Sequence, residues 1–195
     1  MIRSDANRFG KTLYILYPGE HHAEAEDCLL ATVAGSCVVV CLHDQRKRIG
    51  GIGHFIVPGA IGTEGIIADD VAAQGIASLE YLIGDLVKLG GDRKNFRATL
   101  YGAGSFGGSG IREDVTGSNI RFLREYFSLE RIPVAREDLG GNYRRKIFFC
   151  PRTGSSFRKF LMNNSDHSEF LRLEAEYIVG VFGKNDRFGK VLLFD

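Results

Sequence analysis

Two stretches of the chain have the apolar spacing of amphipathic helices. From Asp69 to Leu89, apolar residues recur every three or four positions, and Gly90-Gly91 follows where such a helix would end. The apolar stripe consists of Ile76, Leu79, Leu82, Ile83, Leu86 and Val87. Ser118 can cap a second helix, in which Ile120, Leu123 and Phe127 share one face. The pattern therefore predicts two main helices.

Short apolar and β-branched runs elsewhere predict strands. These runs are Leu13 to Pro18, Val38 to Leu42, Gly50 to Val57, Arg97 to Tyr101, Ile132 to Ala135, Lys146 to Cys150 and Phe157 to Met162. Pro133 indicates an edge position for its strand, because proline cannot donate to a sheet. Residues 177–179 and 191–193 predict a last hairpin. Several neighbouring strands are close in sequence, which favours an α+β fold with layered, mixed or antiparallel sheets.

Composition narrows the class of protein. The chain has 195 residues, 44% hydrophobic residues and a formal charge of +1, which excludes a mainly disordered chain and a strongly basic nucleic-acid binder. No secretory leader or membrane-length apolar run is visible, so we expect a cytoplasmic protein that is not embedded in a membrane. Thiols stay reduced there, so disulfides are not expected among Cys28, Cys37, Cys41 and Cys150.

The most informative pattern is a predicted hairpin that brings a cysteine and a histidine together. If Gln45 and Arg46 form its turn, Cys37 lies directly opposite His54. Directly opposed side chains of antiparallel strands point to one face, with Cβ atoms about 5 Å apart. An imidazole at that distance can take the thiol proton and activate the sulfur as a nucleophile.

Small residues surround the predicted pair. Gly35, Ser36 and Gly53 leave room for a substrate, and backbone N–H groups from Gly35 to Cys37 are candidates for holding an oxyanion. Thr32 is the nearest candidate for a third polar group, which would orient His54 or bind a substrate amide. Strand alternation puts Thr32 on the opposite face, so this role requires the chain to bend at Gly35.

Other interpretations of the same residues stay open. A strand cysteine and histidine can be purely structural. Cys37, Cys41 and His54 also offer a partial zinc set, although structural zinc sites favour C-x₂-C pairs. The glycine segment Gly102 to Gly110 contains G-x-G-x-x-G, but no convincing helix opens inside it, so we interpret it as a loop rather than a dinucleotide site. His21, His22 and His167 are interpreted as loop residues.

The segments around the pair resemble the CheD family, the chemoreceptor glutamine deamidases of bacterial chemotaxis. The similarity is carried by Ala34 to Leu42 (AGSCVVVCL) and Gly50 to Pro58 (GGIGHFIVP). Weaker matches in the same order are Tyr17 to Glu20, Asn119 to Leu123, Asp138 to Asn142 and Phe148 to Gly154. The resemblance covers residues 12–162, after an N-terminal arm at 1–11 that we expect to be flexible. Residues 163–195 are an extension of unknown role. Gly53 stands where the family usually has Asn.

The resemblance implies a function and its machinery. Cys37, His54 and Thr32 would be catalytic, Gly35, Ser36 and Gly53 would border the substrate and oxyanion sites, and no metal or organic cofactor would be needed. The fold would be that of deamidating bacterial toxins. Methyl-accepting chemotaxis receptors would be the protein substrates, and CheC-type phosphatases would be partners in some organisms. The alternative is a non-enzymatic chemotaxis module that binds such a phosphatase or a receptor.

Overall fold

The protein is an α+β fold of two sheets and three helices, seen in a computed structural model that describes residues 1–4, 10–57, 65–66, 70–105, 113–161 and 168–185. The strands are β1 (Ile2–Ser4), β2 (Leu13–Ile15), β3 (His21–Glu24), β4 (Leu29–Ala34), β5 (Val38–Asp44), β6 (Ile49–Phe55), β7 (Phe96–Gly102), β8 (Val134–Leu139), β9 (Arg144–Phe149) and β10 (Ser156–Leu161). The helices are α1 (Asp70–Lys88), α2 (Glu113–Leu129) and α3 (Ser168–Asn185).

Both five-stranded sheets are mixed, as the sequence predicts. The first has the order β1-β2-β4-β9-β10 and the second the order β3-β6-β5-β7-β8. Only the β2–β4 and β7–β8 pairs are parallel among the described strands. β8, which follows Pro133, lies at a sheet edge, and the prediction made from that proline is confirmed.

Side chains of the central strands point alternately to the two faces of the sheet, and a hydrophobic core lies on each face. Val38, Val40 and Leu42 of β5 face the α1 and α2 layer, where they pack against Leu82 and Phe122. The alternate residues of β5 point the other way, into the space between the two sheets. That second core contains Leu16, Cys28, Leu30, Ala34, Val39, Cys41, Ile52, Tyr101, Ile147 and Phe149. The molecule is thus a helix layer, a sheet and a second sheet.

The predicted register of the β5–β6 hairpin is wrong by two residues. Val39, not Cys37, lies opposite His54, because the turn contains four residues instead of two. The Asp44 carboxylate accepts hydrogen bonds from the N–H groups of Arg46 and Lys47, and Arg48 closes the turn with a φ of 57°. Since side chains alternate with period two, an error of two leaves Cys37 and His54 on the same face, as diagonal neighbours.

Several other elements differ from the prediction. α2 begins at Glu113, so Ser118 lies inside the helix and does not cap it; Val115 and Thr116 are buried in the added part. Residues 177–179 belong to α3 and not to a hairpin strand; residues 191–193 lie outside the described part of the chain.

The N-terminal region also contains more strand than predicted. Ile2–Ser4 pair with β2, and His21 and His22 lie in β3 rather than in a loop. His167 and the second half of the glycine segment, residues 106–110, lie outside the described residues.

Candidate active site

The chain crosses from one sheet to the other at Gly35-Ser36-Cys37. β4 ends at Ala34 in the first sheet and β5 begins at Val38 in the second. This crossing is the bend that the sequence required if Thr32 was to approach His54. Thr32 and His54 now face each other across the space between the sheets, on β4 and β6.

Thr32 fixes the orientation and the tautomer of the His54 ring. The Thr32 hydroxyl lies 2.9 Å from the Leu16 carbonyl oxygen and 2.8 Å from His54 Nδ1. A carbonyl only accepts, so the single hydroxyl proton is donated to Leu16 and Thr32 accepts from Nδ1–H. Nδ1 therefore carries the proton of the neutral ring. Nε2 is left as a buried acceptor with no hydrogen-bond partner among the described residues.

Burial keeps His54 and Cys37 neutral in this arrangement. His54 is 1% exposed, and burial lowers its pKa to about 3. Cys37 is fully buried; burial, and then the nearby Glu174 carboxylate, raise the pKa of its thiol well above the ordinary value. The Cys37 sulfur, a His54 ring nitrogen and a Glu174 carboxylate oxygen lie within 4.8 Å of one another. A thiol, a base that can accept its proton and a third polar group are thus in mutual reach.

Two backbone N–H groups of the crossing converge on one point beside the sulfur. The N–H groups of Gly35 and Cys37 each donate to the same oxygen of Glu174, Oε1, at 3.0 Å. A side chain at position 35 would overlap the Glu174 carboxylate, so only glycine leaves this space open. Paired N–H groups aimed at one oxygen are the arrangement that stabilises a tetrahedral oxyanion.

The described part of the glycine segment forms backbone hydrogen bonds with the crossing at Gly35-Ser36-Cys37. Ala103 N–H donates to the Cys37 carbonyl at 3.0 Å, and Gly104 N–H donates to the Gly35 carbonyl at 2.9 Å. Gly102 has a φ of 101°, and a Cβ there would overlap the Cys37 carbonyl oxygen. The close backbone approach accounts for glycine at position 102 without a nucleotide.

Ser36 and Gly53 occupy different surroundings. Ser36 is buried in the crossing between the two N–H donors. Gly53 lies in β6 beside His54 and lines a cleft of about 340 Å³ together with Gln74 of α1 and Tyr177 of α3. A Cβ at Gly53 would point at Leu82 of α1, so a longer residue at this position would extend towards α1.

Glu174 is the site residue that sequence reasoning missed. It is 7% exposed and comes from α3, in the extension that no recognised motif covers. A signal was present, because Phe170, Tyr177, Ile178 and Val181 have helical spacing around it, so that a glutamate interrupts an apolar stripe.

Among the described residues, one cluster offers several metal ligands at close range. It consists of Cys37, His54 and Glu174. Sulfur, imidazole and carboxylate are a donor set that suits zinc. Cys41, the residue that the sequence paired with Cys37 for a zinc site, is not in this group; burial alone raises the pKa of its thiol.

The chain is similar to proteins of bacterial chemotaxis. A family model described as CheD chemotactic sensory transduction matches residues 65–159. The probable chemoreceptor glutamine deamidase CheD of Paraburkholderia xenovorans is 37% identical over 155 residues, which are 80% of this chain and 62% of the relative. The protein of the same name from Burkholderia vietnamiensis is 39% identical over 146 residues, which are 75% of this chain and 59% of the relative. The chain thus spans about 60% of the length of these relatives.

The comparison with solved structures found a distant similarity. The hypothetical protein YfiH of Bacillus licheniformis has a TM-score of 0.38 and 14% identity, over 63% of this chain and 49% of that one, which is too distant to support an argument. Within the described residues, every helix is too short or too polar to cross a membrane.

Proposed function

We propose that this chain is a member of the CheD family and a protein-glutamine deamidase in which Cys37 is the nucleophile. The observation that carries the proposal is the cluster at the crossing: the Cys37 sulfur, a His54 ring nitrogen and a Glu174 carboxylate oxygen lie within 4.8 Å of one another, and the N–H groups of Gly35 and Cys37 both donate to that carboxylate. The match to the family model begins at residue 65, after both Cys37 and His54. The roles of these two residues therefore rest on the geometry.

The first half of the reaction forms a thioester. His54 Nε2 accepts the thiol proton of Cys37, and the sulfur attacks the carboxamide carbon of a glutamine side chain. The oxygen becomes an oxyanion, which the N–H groups of Gly35 and Cys37 stabilise. The imidazolium then gives its proton to the amide nitrogen, the C–N bond breaks and ammonia leaves.

The second half consumes one water. His54 takes a proton from the water, which attacks the thioester; the C–S bond breaks and the proton returns to the sulfur. The sum is glutamine and water giving glutamate and ammonium, because ammonia takes up the proton that the new carboxylic acid releases, without oxidation or reduction. Thr32 is a positioning residue in this scheme, because it holds His54 through Nδ1 and leaves Nε2 free for both transfers.

The surroundings of the site suggest how a substrate would reach Cys37. Gly53 lines the cleft beside His54, by which the substrate side chain would enter, and Ser36 lies in the crossing that carries the two N–H donors. Methyl-accepting chemotaxis receptors are the proposed substrates, with CheC-type phosphatases as partners and the cytoplasm as the location. Deamidation would add a carboxylate to the receptor and so change its charge. Residues 12–162 are the proposed deamidase domain.

Ammonia release from a glutamine-bearing cytoplasmic fragment of a chemoreceptor tests the proposal. The wild-type chain and Glu174→Ala are both assayed, because Glu174 occupies the N–H pair in this structure. We expect release that Cys37→Ala and His54→Ala abolish. Cys41→Ala is the matched control, since Cys41 is an equally buried thiol that is absent from the site group, and it should keep the activity.

The same assay separates the deamidase from the non-enzymatic module. A background rate shared by wild type, Glu174→Ala, Cys37→Ala and His54→Ala would overturn the enzyme. Binding of the receptor fragment, or of a CheC-type phosphatase, without any release of ammonia would then support the module.

A further inference from the structure

We propose that α3 is a built-in inhibitor in which Glu174 imitates the glutamate product inside the deamidase site. This inference rests on the proposed function, because a product analogue presupposes the reaction. Glu174 has the side chain that deamidation of a glutamine would generate. Its Oε1 accepts both N–H bonds at the point where the oxyanion of the reaction would lie.

The surroundings of Glu174 do not provide the usual partners of a buried carboxylate. The ion pairs of the described residues do not include it, although it is 7% exposed. Burying a carboxylate without a cation is unfavourable unless hydrogen bonds replace its lost water. Here the replacements are the two N–H groups and the Cys37 thiol. A site built to stabilise negative charge on an oxygen explains why a carboxylate is tolerated.

The apolar side chains of α3 on either side of Glu174 pack against the rest of the protein. Phe170 lies four residues before it, and its ring is 5.4 Å from the ring of Tyr17. Tyr177 packs closely on Gly19, and Val181 joins Cys37, Ile56 and Val115 in a small cluster. These side chains lie on one face of α3, whereas Val179 on another face is exposed. The helix thus covers the sulfur by the same face that carries Glu174.

Two consequences make this arrangement inhibitory. The Gly35 and Cys37 N–H groups cannot hold a substrate oxygen while they hold Oε1, so a substrate must displace Glu174. The negative carboxylate beside the sulfur also disfavours the thiolate, and it contributes to the raised pKa of Cys37. Both effects require α3 to stay in place, and its displacement would uncover Cys37, which is fully buried here.

Replacing Glu174 by glutamine in the full-length chain tests the inference directly. The introduced glutamine would be an intramolecular substrate, so peptide mapping by mass spectrometry of Glu174→Gln should find glutamate restored at position 174. Cys37→Ala combined with Glu174→Gln should keep the glutamine. Glu176→Gln is the matched control, because Glu176 is exposed on the same helix, where it pairs with Arg172; its glutamine should persist.

Assays on an added substrate distinguish failure of this inference from failure of the proposed function. With the receptor fragment as substrate, Glu174→Ala should be faster than wild type by roughly tenfold or more, because hydrogen bonds to a charged group are among the stronger ones. Glu176→Ala should match the wild type. If Glu174→Gln keeps its introduced glutamine while it deamidates the fragment, the inference is overturned and the function stands. If no variant deamidates either glutamine, both are overturned.

A labelling measurement does not depend on turnover. Iodoacetamide should modify Cys37 faster in Glu174→Ala than in the wild type and in Glu176→Ala, with unfolding curves confirming that all three are folded. Equal rates of Cys37 labelling in the three folded proteins would mean that Glu174 does not close the site.

Discussion

Replacing Thr32 by valine removes one hydroxyl with little change in shape. The hydroxyl serves two buried groups, the Leu16 carbonyl and His54 Nδ1–H, at 2.9 and 2.8 Å. Valine leaves the Leu16 carbonyl without this donor, at a cost of about 1–3 kcal/mol. For a chain of this size, each kcal/mol lowers the melting temperature by roughly 2–4 °C. Thermal unfolding should therefore show a loss of at least about 2 °C.

The effect on catalysis comes from His54. Without Thr32, the neutral ring is free to move its proton to Nε2, which can no longer accept the proton of Cys37. The imidazolium that forms during the transfer also loses the acceptor of its Nδ1–H. One buried hydrogen bond of about 1–3 kcal/mol lost from the transition state corresponds to a roughly 5- to 150-fold lower kcat. The measurement is ammonia release from the receptor fragment in the Glu174→Ala background, where the site is open.

Thr32→Ser is the control for this prediction, because it keeps the hydroxyl and loses only a methyl group. Serine should restore most of the activity that valine removes. Valine and serine variants with equal kcat would show that Thr32 does not act through His54. A changed KM with an unchanged kcat would mean that Thr32 binds the substrate instead.

Three further predictions concern the scaffold and pH. Asn119→Ala should lower the free energy of unfolding by about 2–4 kcal/mol in urea titrations, because Asn119 pairs with both the N–H and the carbonyl of buried Val57; exposed Asn142→Ala should change nothing. Gly102→Ala should destabilise the fold and slow the reaction through the clash with the Cys37 carbonyl, whereas Gly84→Ala, with open space in α1, should stabilise it slightly. His54 has a pKa of about 3 when folded and 6.5 as its ordinary value, so the unfolded chain binds the extra proton between these limits. Stability should fall by about 1.4 kcal/mol per unit as pH drops from about 6 to 4, and His54→Gln should lack this component of the fall.

The sequence predicted the cysteine and histidine pair in spite of a register error. It assumed a two-residue turn, whereas Asp44 caps a four-residue turn. Counting residues cannot distinguish these turns, because the choice depends on side-chain hydrogen bonds and on the positive φ of Arg48. The face of each side chain was still correct, since it depends only on whether the shift is even or odd.

Long helices were easier to predict than short apolar runs. The predicted bounds of α1 agree with the observed ones to within one residue at each end, because a stripe of six apolar residues marks the helix. The strand predicted at residues 177–179 is wrong, since three apolar residues fit either a strand or a helix. The sequence pattern does not predict α3, so it does not point to Glu174 either. The hydrogen bond from the Cys37 N–H to Glu174 also spans 137 positions of the chain.

Hydroxylamine trapping shows whether Cys37 forms a thioester with the glutamine carbonyl. Hydroxylamine intercepts a thioester in competition with water. We expect Glu174→Ala, incubated with the receptor fragment and hydroxylamine, to produce a glutamyl hydroxamate at the reacting glutamine, and Cys37→Ala to produce none. Conversion of that glutamine to glutamate without any hydroxamate, or equal hydroxamate from the Cys37→Ala variant, would contradict thioester formation at Cys37.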